Sequence, residues 1–253
     1  MPADTPADTP TTTDRLLDGR VVLRQPTRGF RAAIDAVFLA AAVGARPGET
    51  ALELGAGTGA ASLCLAHRVP DLAVTGIERD AELVHLANAN AAANAVAGRV
   101  RFIAADVADA DATGGGRWDH VFANPPYLAR NHADLRRTGA VDATVEGTDG
   151  LAPWIAAIRR AIRPRGHVVL IHRADRLADL LAAMAPGFGA IAIFPLWPHE
   201  GTPARRILVG ARAGVRGSLA LLPGLVLHRA DGAWTAAAEA VLRDGRTIDL
   251  AAR

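Results

Sequence analysis

Thr50-Ala51-Leu52-Glu53-Leu54-Gly55-Ala56-Gly57-Thr58-Gly59, running straight into the helical pattern of residues 60–69, decides the fold. An apolar strand enters a glycine-rich turn, and the turn opens a helix. Glycines let the backbone approach a ligand closely, and a helix N-terminus offers unpaired N–H groups. Gly55, Gly57 and Ala60 satisfy the relaxed dinucleotide spacing G-x-G-x-x-G/A, which is a weak signal alone. Glu53 is the informative addition. A carboxylate just ahead of the loop binds an ammonium group and repels a pyrophosphate. The run Glu53-x-Gly55-x-Gly57-x-Gly59 therefore favours a cofactor with a zwitterionic amino-acid end.

Working outward, residues 73–77 read as a second strand that ends at Glu78, 19 residues after Gly59. That is about the spacing of an acid that accepts ribose hydroxyl bonds. A helix over 80–94 and a third strand over 100–104 follow, with Asp106 just past the strand end. A carboxylate there can accept from an adenine amino group. Each acid also reads as a solvated loop charge or a helix cap. Three of them at the carboxyl ends of successive strands point to the edge where open α/β sheets bind ligands.

The buried run 118–123 is a fourth strand, ending at Asn124-Pro125-Pro126-Tyr127. Each proline fixes its own φ near about −65° and biases the preceding residue towards extended backbone. The Asn124 amide and the Pro125 carbonyl are thereby held at one point, with the flat face of Tyr127 beside them. Such a corner suits a planar group bearing an amino group; it also serves as an ordinary strand-ending turn. The polar stretch 128–149 contains Arg130, Arg136 and Arg137, and a loop of this length inside a domain is more often functional than not. The arginines read either as phosphate contacts or as a solvated loop. A helix over 151–162 stopped by Pro164 and Gly166, a strand over 167–171, and a helix over 176–185 come next. Strands over 190–195 and 205–211 form an antiparallel pair, since the link between them is too short for a crossover helix. Arg205 and Arg206 alternate there, so at most one faces outward on a given side.

Ahead of the glycine loop, residues 1–13 are a low-complexity tail expected to be disordered. Residues 14–49 are an extension built of a short strand or hairpin and a helix, and 50–253 form the main domain. Arg31 and Asp35 lie one helical turn apart, either as a surface pair or facing a cofactor under the helix. Charge and composition bound the rest. All 28 basic residues among the 253 are arginine, and the net charge is only +2, which permits nucleic-acid binding without requiring it. One cysteine, Cys64, builds neither a disulfide nor a zinc site. The histidines show no metal spacing, so no metal is expected. No apolar run is long enough for a membrane span, and no basic-then-apolar leader precedes the tail. The expectation is a cytoplasmic protein without membrane contact.

The pattern resembles the class I S-adenosylmethionine-dependent methyltransferases. The Asn124-Pro125-Pro126-Tyr127 corner is similar to the signature of the branch that methylates exocyclic or side-chain amide nitrogens. More narrowly, residues 20 to about 250 resemble the bacterial tRNA1(Val) adenine-37 N6-methyltransferase family. That likeness rests on Gln25-Pro26-x-x-Gly29-Phe30-Arg31 with Ile34-Asp35-Ala36, and on Phe194-Pro195-Leu196 with Pro203-Ala204-Arg205-Arg206. Phenylalanine stands for the family's tyrosine, and Arg205 for its usual lysine. The resemblance implies an α/β, Rossmann-like, seven-stranded, mostly parallel sheet with an antiparallel C-terminal pair. It implies S-adenosylmethionine, with Glu53 and Gly55–Gly59 at the methionine end, Glu78 at the ribose and Asp106 at the adenine. It implies tRNA as partner, Tyr127 stacking on a flipped adenine, and Asn124 with the Pro125 carbonyl accepting from its amine. Arg130, Arg136, Arg137, Arg205 and Arg206 would then contact the RNA. Two other readings stand beside this one. Protein-glutamine methyltransferases share the corner but carry a larger helical domain ahead of the glycine loop, where this chain has 49 residues. A non-catalytic RNA-binding protein of this fold would be expected to have lost Glu53, Asp106 or Asn124.

Overall fold

The computed structural model describes residues 10–28, 31–109, 111, 118–126 and 150–250. Strand β3 (Thr50–Leu54) lies inside the sheet with β4 (Ala73–Glu78) on one side and β6 (Trp118–Ala123) on the other, both parallel to it. Ala51, Leu52 and Leu54 are fully buried. A continuous apolar run of this kind is what a parallel strand covered on both faces requires. Helices α2 (Ala60–Arg68) and α3 (Ala81–Ala93) connect β3 to β4 and β4 to β5 (Val100–Ala104). After β6 come α4 (Ala152–Ala161), β7 (Ile162–Arg173), α5 (Leu177–Met184), β8 (Phe188–His199) and β9 (Arg206–Ala213).

The sheet runs β10-β8-β9-β7-β6-β3-β4-β5. Its seven main strands follow the expected Rossmann-like plan, with β9 antiparallel to both β7 and β8. Two short strands enlarge it: β10 (Ala220–Leu221) and β11 (Leu225–His228) both pair with β8, making nine strands where seven were expected. By sequence the stretch 219–227 is merely apolar. Its two pieces are too short to show alternation and are strands only because β8 offers them an edge. Helix α6 (Ala236–Leu242) follows, with Thr235 capping it through Ala238 N at 3.1 Å.

Three other expectations shift. Residues 11–13 are not structureless, because Thr11–Leu16 is strand β1, paired antiparallel with β2 (Val21–Pro26). Threonine repeats that read as structureless gain a ladder once β2 lies beside them. The helix of the extension, α1 (Ile34–Ala42), is no surface element: from Ala36 onward it is buried on every side, because it packs against α2, α6 and β7. The helix before β7 ends at Ala161, and the strand starts at once. Pro164, Arg165 (φ 63°) and Gly166 fall within it as an irregularity between the pairs Trp118–Ile162 and His120–His167. Proline lacks the ladder N–H, so the bulge takes it.

Asparagines on α3 fasten the hairpin to the domain. Asn94 bonds the N–H and C=O of Val22, at 2.8 and 2.7 Å, and Asn90 those of Arg24. Asn90, wholly buried, also donates to Thr58 O in the glycine loop at 3.0 Å. At the amino edge of the sheet, His120 meets Glu49 at 2.7 Å and stacks on His167. Beside it, Asp119 accepts from the Thr50 N–H and hydroxyl and pairs with Arg163.

Candidate active site

At the carboxyl edge, a cleft of about 660 Å³ opens over the glycine loop. Gly55, Gly57, Glu53, Glu78, Asp106, Asn124 and Pro125 all line it, as does Arg206. The strand ends bring these residues together although they are spread over more than 150 positions of the sequence.

The loop is held from below and from the side. Gly55 (φ 68°) accommodates the ring of Trp154, whose edge would lie 2.6 Å from a Cβ there. Gly57 (φ 54°) has nothing within 4 Å of a Cβ position, so its open side faces the cleft. Gly59 does not line the cleft. It caps α2 and admits the Phe102 ring, 2.5 Å from where a Cβ would stand. Packing explains its place in the motif as it does that of Gly55, but unlike Gly55 and Gly57 it stands off the cleft.

Glu53 is buried at the end of β3. Its Oε2 accepts from the Ser62 N–H at 3.0 Å and the Ser62 hydroxyl at 2.5 Å. It thereby caps the first turn of α2, a turn that no neighbouring side chain caps. Its Oε1 has no partner among the described residues and is left for the cleft. Burial pushes the Glu53 carboxyl up to about 8, against the Ser62 bonds that favour the charged form. Thr58, also lining the cleft, has a buried hydroxyl without a hydrogen-bond partner. Glu78 accepts from Gly57 N at 2.9 Å and Asp80 N at 3.1 Å, which fixes its carboxylate against the loop. Asp106 accepts from Ala108 N at 2.8 Å through one oxygen. Each acid is thus a backbone cap, and each still presents acceptor capacity to the cleft.

Asn124 is half-buried, and among the described residues its amide makes no hydrogen bond. Pro125 beside it is buried. Tyr127, Arg130, Arg136 and Arg137 lie outside the described residues. Arg206 reaches the cleft and pairs with Asp35 at 3.0 Å, while exposed Arg205 does not line it. Arg205 lies just outside β9, which starts at Arg206 rather than at 205, so the expected alternation of the two along one strand does not arise. Arg31 and Asp35 both line the cleft without pairing with each other: Arg31 joins Asp14 and Thr12 of β1.

Two lining residues, Pro153 and Trp154, escaped the sequence reading, and Gln25 supports the cleft without lining it. Trp154 and Pro153 begin α4, and the only signal was an aromatic in the first turn of a helix that returns from the same sheet edge. Gln25 is buried and exchanges bonds with Ala32 N and O at 2.8 and 3.1 Å while donating to Asp14. It locks the hairpin to the start of α1 over the cleft. Among the described residues no cluster of His, Cys, Asp and Glu is placed to hold a metal, and no helix is long and apolar enough to cross a membrane. Cys64 is buried, its thiol pushed up to about 12 by burial.

Residues 33–143 match the methyltransferase small domain family. A tRNA1(Val) (adenine(37)-N6)-methyltransferase of Actinobacillus succinogenes is 34% identical over 69% of this chain and 73% of its own length. Its counterpart in Porphyromonas gingivalis is 35% identical over 60% of this chain, and the match spans 62% of that relative's length. Among solved structures, a predicted O-methyltransferase of Agrobacterium tumefaciens, protein Atu636, is 27% identical with a TM-score of 0.71. The match covers 87% of this chain and 99% of that one.

Proposed function

The chain belongs to the tRNA1(Val) (adenine(37)-N6)-methyltransferase family, and from that premise we propose that it methylates the exocyclic N6 amine of an adenine in tRNA. The substrate we assign is anticodon-loop adenine 37 of tRNA-Val, and the methyl donor is S-adenosylmethionine. The observation that carries the reading is the Asn124 amide, without a hydrogen-bond partner among the described residues, beside buried Pro125, over a cleft that collects Glu53, Glu78 and Asp106.

The donor fits the residues present. Glu53 Oε1 and the Gly55–Gly57 segment would hold its amino-acid end, with Ser62 fixing the other carboxylate oxygen. Glu78 would take the ribose hydroxyls and Asp106 the adenine ring. When bound, the donor supplies a methyl group already activated by its sulfonium.

The chain's own residues position the acceptor. The target base must leave its stack, at a cost of a few kcal/mol that is smallest for a loop base. Tyr127 would stack on it. The Asn124 side-chain oxygen and the Pro125 carbonyl would accept from its amine. An aromatic amine is a poor nucleophile because its lone pair is delocalised into the ring. Two fixed acceptors favour the pyramidal form and aim the lone pair out of the ring plane. Positioning of this kind supplies most of the remaining rate. Arg130, Arg136 and Arg137 would grip flanking phosphates, and replacing all three by glutamine should flatten the salt dependence of tRNA binding. A tRNA substrate accords with a cytoplasmic protein.

The test is mass spectrometry of nucleosides from unmodified tRNA incubated with the protein and labelled donor. Label in N6-methyladenosine is expected. Label in another nucleoside, or only on protein glutamine, overturns the assignment.

A further inference from the structure

The stretch Trp197-Pro198-His199, at the end of β8, takes no part in the cleft. The adjoining structure gives it a second purpose. β8 and β11 run parallel, with Leu196 opposite Leu225 and His199 opposite His228. Leu196, Leu225 and Leu227 turn to the core around α1 and α6. Alternation turns Trp197, His199 and His228 to the other face. There the rings form a series. Trp234 stacks on His228 at 4.1 Å and 28°, and His228 meets His199 at 5.6 Å and 39°. The series is half-buried at Trp234 and His228 and ends on an exposed ring, His199.

The rings are held in place. His228 Nδ1 bonds Gly232 O at 3.1 Å, and Trp234 pairs with His228 across a β-bridge. Thr202 brackets His199 with bonds to its N–H and C=O at 3.2 and 2.7 Å. The Trp197 indole, half-buried on the same face, donates to Pro223 O at 3.1 Å. The inner end of the series, Trp234, packs against the core, and the outer end, His199, presents its ring to solvent.

The location indicates which ligand. His199 and His228 end strands that run parallel to β6, so they stand at the same carboxyl edge as Asn124. From β6 to β8 is three strand steps, about 14 Å at the usual spacing, and His199 stands five residues beyond Phe194, the β8 residue level with Asn124, about 17 Å further along the strand. Exposed Arg205 stands in the β8–β9 connection with no ion pair among the described residues. Arg229, just past the end of β11, pairs with Asp231 at 2.8 Å, and Glu200 and Asp231 are acids of the same rim. Flat rings beside an unpaired guanidinium form the combination that holds unpaired nucleotides, since every base has a π-face and every link a phosphate.

We propose that His199, backed by His228 and Trp234, is a stacking platform for an unpaired base of the RNA near the methylated one. The inference rests on the tRNA reading above and extends it to a surface outside the cleft. It is tested by fluorescence anisotropy with an unmodified tRNA-Val transcript, comparing the wild type with H199A and H199Y. H199A should bind about fivefold or more weakly, and H199Y, which restores a stacking ring, should bind like the wild type. A fully paired RNA duplex, which offers no free base face, should bind all three proteins alike. Equal binding of the transcript by H199A overturns the platform and leaves the methylation reading intact. Failure of H199Y to recover, or an equal loss on the duplex, assigns His199 a polar contact instead and also overturns stacking. If the wild type itself does not bind the transcript, both readings fall.

Discussion

At the amino edge of the sheet, Glu49 and Asp119 each meet a base; at the carboxyl edge, Glu53, Glu78 and Asp106 meet, among the described residues, only N–H groups and a hydroxyl. The consequences are opposite. Burial pushes the Glu49 carboxyl up, but the His120 ring and the Arg46 N–H outweigh it, and the group lies below its ordinary range. Burial likewise acts on Asp119 and is outweighed by the Thr50 bonds and Arg163. Glu53, buried against Ser62 alone, stands near 8. Acids whose needs are met within the fold are structural. An acid kept buried with one oxygen open to a cleft is set for a cation that the chain does not provide.

The largest effect should come from Asn124, whose amide makes no hydrogen bond among the described residues. Asn124→Ala should lower turnover about 100-fold or more, by analogy with the loss of one preorganised polar contact. Affinity for S-adenosylmethionine should change far less. Single-turnover methyl transfer measures the first and calorimetry the second, and near-normal transfer would remove Asn124 from the chemistry.

Glu53→Gln should weaken donor binding by about 1–3 kcal/mol, the worth of a hydrogen bond to a charged group. The same variant sharpens the contrast through pH. A carboxyl that titrates near 8 in the folded protein and near 4.5 in the unfolded chain binds more protons folded than unfolded between those values. Its contribution to stability therefore falls as pH rises across that window. Glu53→Gln should remove that slope from denaturation curves. Donor binding to the wild type below pH 8 should release protons, seen as a buffer-dependent calorimetric heat that the variant lacks.

Glu78→Ala and Asp106→Ala should each cost about 1–3 kcal/mol of donor affinity. Glu78→Ala should cost more, because its carboxylate also holds the Gly57 N–H. Unchanged affinity in both would mean these acids are caps only.

The smallest effect on activity should come from the amino edge. Asp119→Asn should leave kcat and KM unchanged and lower stability at neutral pH by about 1–2 kcal/mol, from bonds left unmade. The sign of its pH dependence is the reverse of that at Glu53. Stability from a lowered carboxyl is present above its ordinary value of 3.8 and is lost as pH falls through the folded value. The variant should flatten the acid limb of the stability curve and no other part of it. A loss of activity would join the two edges and end the distinction.

The strands and the glycine turn were legible because backbone preference and apolar periodicity are local. A residue at or just past the carboxyl end of a strand keeps its place in space wherever the strand lies in the sheet, so Glu53, Glu78, Asp106 and Asn124 could be placed at one edge from order alone. The sequence determined that much, together with the resemblance carried by residues 124–127. Tyr127, Arg130, Arg136 and Arg137 rest on that reading alone. The tertiary structure decided what meets what. Trp154 fills the space left by Gly55, Phe102 the space left by Gly59, and Arg206 finds Asp35 across 171 positions. It also made strands of residues too few to show a pattern, by giving β10 and β11 an edge on β8. These contacts depend on how elements pack over long separations, and the energy of packing belongs to pairs of surfaces, which no single stretch of the chain encodes.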